Sequence, residues 1–151
     1  MKKALKLLLY ITFVIYLAAL NKILFGGFRG YIEYAFYSVN LVPFSTIMSY
    51  INAIANNTMN IDIPVKNLLG NLLLFLPMGI YLPCILKKLR SFKSTMLCIF
   101  ILLVGVELIQ FVTMRGAFDI DDLILNMLGA LIGFIIFKST LGQKLHSWLF
   151  N

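Results

Sequence analysis

Four long apolar runs constrain this chain more than any other feature. Residues 7–20 carry no charge, and the run continues through Ile23, Leu24 and Phe25. Residues 67–86 also carry none. Residues 94–114 contain Glu107 as their only charge, and residues 123–137 follow directly on Asp122. About 20 residues of helix cross a hydrocarbon core roughly 30 Å thick. Inside that core every backbone N–H and C=O needs an internal partner, which favours helices. The sequence therefore predicts an all-α polytopic membrane protein. Its single domain, residues 1–151, has four transmembrane helices at about 5–25, 67–86, 94–114 and 120–138. Alternating strands of about ten residues are missing, so a β-barrel is not expected.

Composition supports this. Hydrophobic residues make up 61% of the chain and charged ones 13%, where soluble domains carry about 25% charged residues. A soluble globular domain is excluded on that ground, and a disordered chain by the high apolar content. Two cysteines, Cys84 and Cys98, cannot build a disulfide scaffold. Each stands near the inner end of its helix without an acid or histidine beside it, and both read as free packing residues. His146, alone in the tail, reads as a surface residue.

The formal charge is +7, from 13 basic and 6 acidic residues. The basic residues flank the apolar runs and form no nucleic-acid motif. Lys2, Lys3 and Lys6 precede the first run, Lys87, Lys88, Arg90 and Lys93 fill one connector, and Lys138 and Lys144 follow the last run. The positive-inside rule then sets both termini in the cytoplasm. Lys22, Arg29, Lys66 and Arg115 fall outside. The alternative of a cleaved signal peptide at the first run is weakened by Leu17, which fills a position that cleavage after Ala19 would want small.

The outer loop, residues 21–66, is not purely polar. Residues 31–37 and 41–54 are aromatic and aliphatic, which suits an interfacial or re-entrant segment. Pro43 breaks it, and a short helix is expected over about 45–55. Asn56-Asn57-Thr58 matches a glycosylation sequon, a short pattern that also arises by chance.

Polar residues gather at one depth. Counted from Ser94 at about 1.5 Å per residue, Glu107 lies about 20 Å along its helix. A carboxylate there needs a partner or a wet cavity. Gln110 follows it by three residues on a shared face. Asn67 and Asn71 are four apart on the second helix, and Asp122 and Asn126 four apart on the fourth, with Gly129 and Gly133 continuing that stripe. Blander readings stand beside this. Asp119 and Asp122 suit capping of the fourth helix. Gly129 and Gly133 suit close packing, including between copies of the chain. Asn67 and Asn71 suit simple interhelical hydrogen bonds, and Pro77 and Pro83 suit a structural kink.

Together these residues resemble the VanZ-like family. The likeness runs through Asn40-Leu41-Val42-Pro43-Phe44, then Asn67-x-x-Gly70-Asn71 with Phe75-x-Pro77-x-Gly79 and Pro83. It continues through Glu107-x-x-Gln110 and Phe118-Asp119-Ile120-Asp121-Asp122 to Asn126, Gly129 and Gly133. The resemblance implies a bacterial cell membrane and an association with resistance to the glycopeptide teicoplanin. It carries over a phenotype class and no reaction.

Two readings of function follow. In the first, the protein binds a membrane lipid, a lipid-linked cell-wall intermediate or a lipid-tailed glycopeptide, without nucleic acid or cofactor. Asn67, Asn71, Glu107, Gln110, Arg115, Asp119, Asp122 and Asn126 would line the site, with Arg29 offered to an anionic group. The alternative is an intramembrane enzyme on a lipid-linked substrate, with Glu107 and Asp122 as candidate catalytic residues. There Glu107 is a general base, and Asp119, Asp121 and Asp122 hold a magnesium-like ion. No P-loop, H-E-x-x-H or Ser-His-Asp set supports it. A proton pathway through Glu107 is a third option, disfavoured because the inner halves of the helices lack ionisable partners.

Overall fold

A computed structural model describes residues 1–26, 39–113 and 116–150. Four of its helices are long and apolar enough to cross a membrane, as expected. The chain is an all-α multi-pass membrane protein.

The first span is α1 (Lys2–Phe25). A two-residue strand, β1 (Val39–Asn40), leads into the short helix α2 (Ser45–Ala55), at the position expected from Pro43. The second span, Asp62–Ile85, begins five residues earlier than the apolar run. It is interrupted, forming α3 (Asp62–Leu74) and α4 (Leu76–Ile85). Pro77 causes the break, because it has no N–H to give Leu73 and its ring crowds that carbonyl. The hydroxyl of Tyr16 on α1 reaches the interruption and donates to the Leu74 carbonyl at 2.8 Å.

A 3-10 turn at Lys87–Leu89 joins α4 to the third span, α5 (Phe92–Val112). Ser91 caps α5 by accepting from the Ser94 N–H. Strand β2 (Phe118–Asp119) pairs in parallel with β1, Val39 opposite Phe118 and Asn40 opposite Asp119. The fourth span, α6 (Ile120–Lys138), starts at once. A further helix, α7 (Thr140–Phe150), occupies what the sequence reading left as a tail.

The spans are unequally buried. Along their most apolar stretches, 44% of α6 is covered inside the protein but only 6% of α1, so α6 is the central helix and α1 a peripheral one. Phe75, Met78, Leu82, Ile99, Leu103 and Ala130 form the core between α4, α5 and α6. Glycines let α6 lie directly on the α3–α4 break. A Cβ at Gly129 would stand 1.9 Å from the Leu72 carbonyl oxygen, and one at Gly133 2.0 Å from that of Leu76. Both glycines are buried in this contact. The stripe is therefore filled by close packing within one chain.

His146 is not alone in the tail. Its Nε2 lies 2.9 Å from Arg90 Nη2, and its ring packs edge-on against Phe137 and stacks on Phe150. Helix α7 folds back onto the end of α6, which gives the imidazole partners that its sequence neighbours do not.

Candidate functional site

The outer ends of α3, α5 and α6 meet the β1–α2 segment, and nearly all the acids gather there. Asp119 is the N-cap of α6: its Oδ1 accepts from the Asp121 N–H at 2.9 Å. The same oxygen accepts from Asn40 Nδ2 at 3.0 Å, and its Oδ2 from the Thr46 hydroxyl at 2.7 Å. Asn40 also donates to Thr46 Oγ1 at 2.9 Å. One aspartate thus ties the strand pair, α2 and α6 together.

Asp121 is fully buried. It accepts from the backbone N–H of Phe44 at 2.6 Å, of Thr46 at 2.7 Å and of Ile47 at 3.1 Å. These are the unsatisfied donors of the first turn of α2, whose own N-cap residue, Phe44, offers no side-chain acceptor. Phe44 has φ 66°, a left-handed conformation that a bulky residue adopts only when held there. The Asp121 carboxylate holds it, and the helix dipole adds to the attraction.

Glu107 and Asp122 differ from these two. Glu107 is 4% exposed. Among the described residues its hydrogen bond is a single long one, 3.4 Å from the Asp119 N–H to Oε2. Asp122 accepts from Asn71 Nδ2 at 2.5 Å across the α3–α6 contact. Asn126 donates to the Asp122 backbone carbonyl at 2.7 Å, and its buried Oδ1 has no partner among the described residues. Tyr50 of α2 faces the cluster. Its hydroxyl is pushed above the ordinary tyrosine pKa by burial first and then by the charges of Asp122 and Asp119.

A cavity of about 390 Å³ opens beside this group between α1 and α3. Ile23, Lys66, Asn67, Gly70, Asn71 and the apolar Leu73–Leu74 pair line it. Asn71 forms part of its wall and also bonds Asp122, so that amide stands between the cavity and the acids.

Glu107, Asp119, Asp122, Asn71 and Asn126 therefore stand together. The other expected members do not join them. Gln110 turns toward α1, where its Nε2 donates to the Leu24 carbonyl at 2.9 Å. Asn67 is exposed and donates to the Ile63 carbonyl of its own helix, reaching the site only as part of the cavity wall. Arg29, Arg115 and the 31–37 stretch lie outside the described residues. Among the described residues no three His, Cys, Asp or Glu side chains converge as a metal site. The magnesium-like trio of Asp119, Asp121 and Asp122 fails for a clear reason. The first two already direct their oxygens to Asn40, Thr46 and the start of α2.

Sequence reasoning left Thr46 and Tyr50 out of the site and gave Asp121 the wrong role. Asn40 entered only through the family pattern. The signal for Asp121 and Thr46 was the pairing of an uncapped helix start after Pro43 with an aspartate beyond those that α6 itself needs.

The VanZ/LLP1 family model matches the chain over residues 7–142. No curated protein and no solved structure matches it.

Proposed function

This chain belongs to the VanZ/LLP1 family, and from that premise we propose that it binds the polar part of a lipid-tailed envelope molecule at the Glu107–Asp122 cluster. The ligand class is a membrane lipid, a lipid-linked cell-wall intermediate or a lipoglycopeptide of the teicoplanin type. Binding would contribute to glycopeptide resistance in a bacterial cell membrane. Both termini face the cytoplasm in this reading, because the basic residues concentrate at their end of the bundle.

One observation carries the proposal. Glu107 is almost fully buried with a single long hydrogen bond among the described residues, although an intramembrane carboxylate is costly unless well partnered. It is not needed to hold the fold as Asp119 and Asp121 are, which leaves it available to a ligand. The adjoining cavity offers the Asn71 and Asn67 amides and the Lys66 ammonium to an anionic or hydroxylated group, beside apolar walls suited to a lipid tail.

Alanine at Glu107 and at Asp122 should each abolish glycopeptide resistance, or the envelope phenotype of the host, while the protein stays at normal abundance in the membrane. An unchanged phenotype in both variants refutes the proposal.

A further inference from the structure

The opposite end of the bundle carries a second feature. Nine basic residues lie there: Lys2, Lys3 and Lys6 at the start of α1, Lys87, Lys88, Arg90 and Lys93 around the α4–α5 turn, and Lys138 and Lys144 at the end of α6 and on α7. The five acidic side chains among the described residues are all on α3, α5, β2 and α6, toward the other end. Among the described residues Arg90 meets no carboxylate there. Its Nη2 faces His146, and its shielded Nε has no hydrogen-bond partner among the described residues.

Helix α7 is two-faced. Gln143, His146 and Phe150 dock on the protein: Gln143 donates to the Phe137 carbonyl at 2.8 Å, and the two rings pack near Phe137. Leu141, Leu145 and Trp148, at i, i+4 and i+7, form the other face and are 67%, 58% and 44% exposed. Lys2 stands 5.8 Å over the Trp148 ring and Lys6 5.1 Å over that of Phe150, which pins the start of α1 to α7.

We infer that α7 and the surrounding basic residues form a docking surface for anionic phospholipid of the leaflet at this end. The Leu141–Leu145–Trp148 face enters the acyl boundary, and Arg90 with the connector lysines meets the phosphates. The occupant follows from charge and place. A helix with one apolar face at the mouth of a transmembrane bundle lies in the interface plane. A rim of nine cations with no acidic side chain beside it among the described residues selects anionic over zwitterionic head groups, by about fivefold for each basic residue near the surface. This surface is separate from the Glu107 cluster and does not depend on that site's function.

Trp148 is the single tryptophan, so its emission reports this face directly. The full chain is placed in nanodiscs of phosphatidylcholine containing equal small fractions of either brominated phosphatidylglycerol or brominated phosphatidylcholine. Stronger quenching by the brominated phosphatidylglycerol is expected, with the excess shrinking as salt is raised. The exposed-turn variant Lys87→Gln/Lys88→Gln, which touches no packing, should reduce the excess, and Arg90→Gln should reduce it further. Equal quenching by the two lipids at low salt overturns the inference. So does emission quenched by neither lipid, because the apolar face would then lie in water.

Discussion

The Asp121 carboxylate, in the first turn of α6, accepts a hydrogen bond from the Thr46 backbone N–H at 2.7 Å, across 75 positions of sequence. With Phe44 and Ile47 it fills the donor set at the start of α2. Asp121→Ala should therefore destabilise the protein by about 2 to 3 kcal/mol, the range for losing hydrogen bonds to a buried charged acceptor. Thermal unfolding in detergent measures the loss. Limited proteolysis should also show early cutting between α2 and α3. An Asp121→Ala protein as stable as the parent would mean that α2 is held by something else.

The α3–α6 contact makes a second, steric expectation. Gly129→Ala and Gly133→Ala each drive a methyl onto a backbone carbonyl that no rotamer can move aside. Each should cost at least about 1 to 3 kcal/mol. Gly70 and Gly105 are also helical, yet a Cβ there meets nothing within 4 Å. Alanine at either should be neutral or stabilising by up to about 1 kcal/mol, through helix propensity alone. Unfolding midpoints of the four variants in one detergent should split into these two pairs.

How much of this was legible in the sequence depended on range. The four spans and α2 were readable because run length, Pro43 and the capping aspartates act within a few residues. The α3–α4 interruption was half readable: Pro77 announced a kink, but the Tyr16 hydroxyl that satisfies Leu74 comes from 58 positions away. Glu107 and Gln110 show the limit of a face argument. Three residues on a helix leave about 60° between side chains, enough for one to reach α6 and the other α1. The Asp121 link had no local signature, since its two halves, an uncapped helix start and a spare aspartate, lie 75 positions apart. Helix α7 was missed because 11 residues are too few to span, and its docked face is recognisable only with Phe137 and Arg90 beside it.

Tyr16 gives a mild and specific case. Tyr16→Phe removes the donor to the Leu74 carbonyl at the interruption of the second span and changes nothing else in the ring packing with Phe13 and Tyr81. Hydrogen bonds between membrane helices average about 0.6 kcal/mol, with the largest near 1.7. A loss in that range is expected by reversible unfolding in mixed micelles. A loss beyond it would mean that the hydroxyl also orders the break.

His146 sets a pH dependence. Its pKa lies below the free value of 6.5, because burial first and the Arg90 charge second disfavour the imidazolium. The unfolded chain then binds the proton more readily than the folded one. The stabilisation of α7 docking is therefore fully present above pH 6.5 and is lost as pH falls from there toward the lower folded value. Hydrogen exchange of the α7 amides, corrected for intrinsic rates, should be slower at about pH 8 than at about pH 5.5, the interval over which histidine titrates. His146→Gln should abolish that difference. A pH dependence that survives the substitution would assign it to another group.

Glu107 separates function from stability. The single hydrogen bond it makes among the described residues, at 3.4 Å, contributes little to holding the fold, so Glu107→Gln, which keeps size and shape, should change stability by no more than about 1 kcal/mol. Asp119→Asn should do the opposite, because Asp119 accepts from Asn40, Thr46 and the Asp121 N–H. Membrane abundance and unfolding midpoint should fall for Asp119→Asn and hold for Glu107→Gln, while the resistance or envelope phenotype falls for both. The informative variant is Glu107→Gln. If it is as abundant, as stable and as active as the parent, the carboxylate is a tolerated polar group in the core and the binding site lies elsewhere.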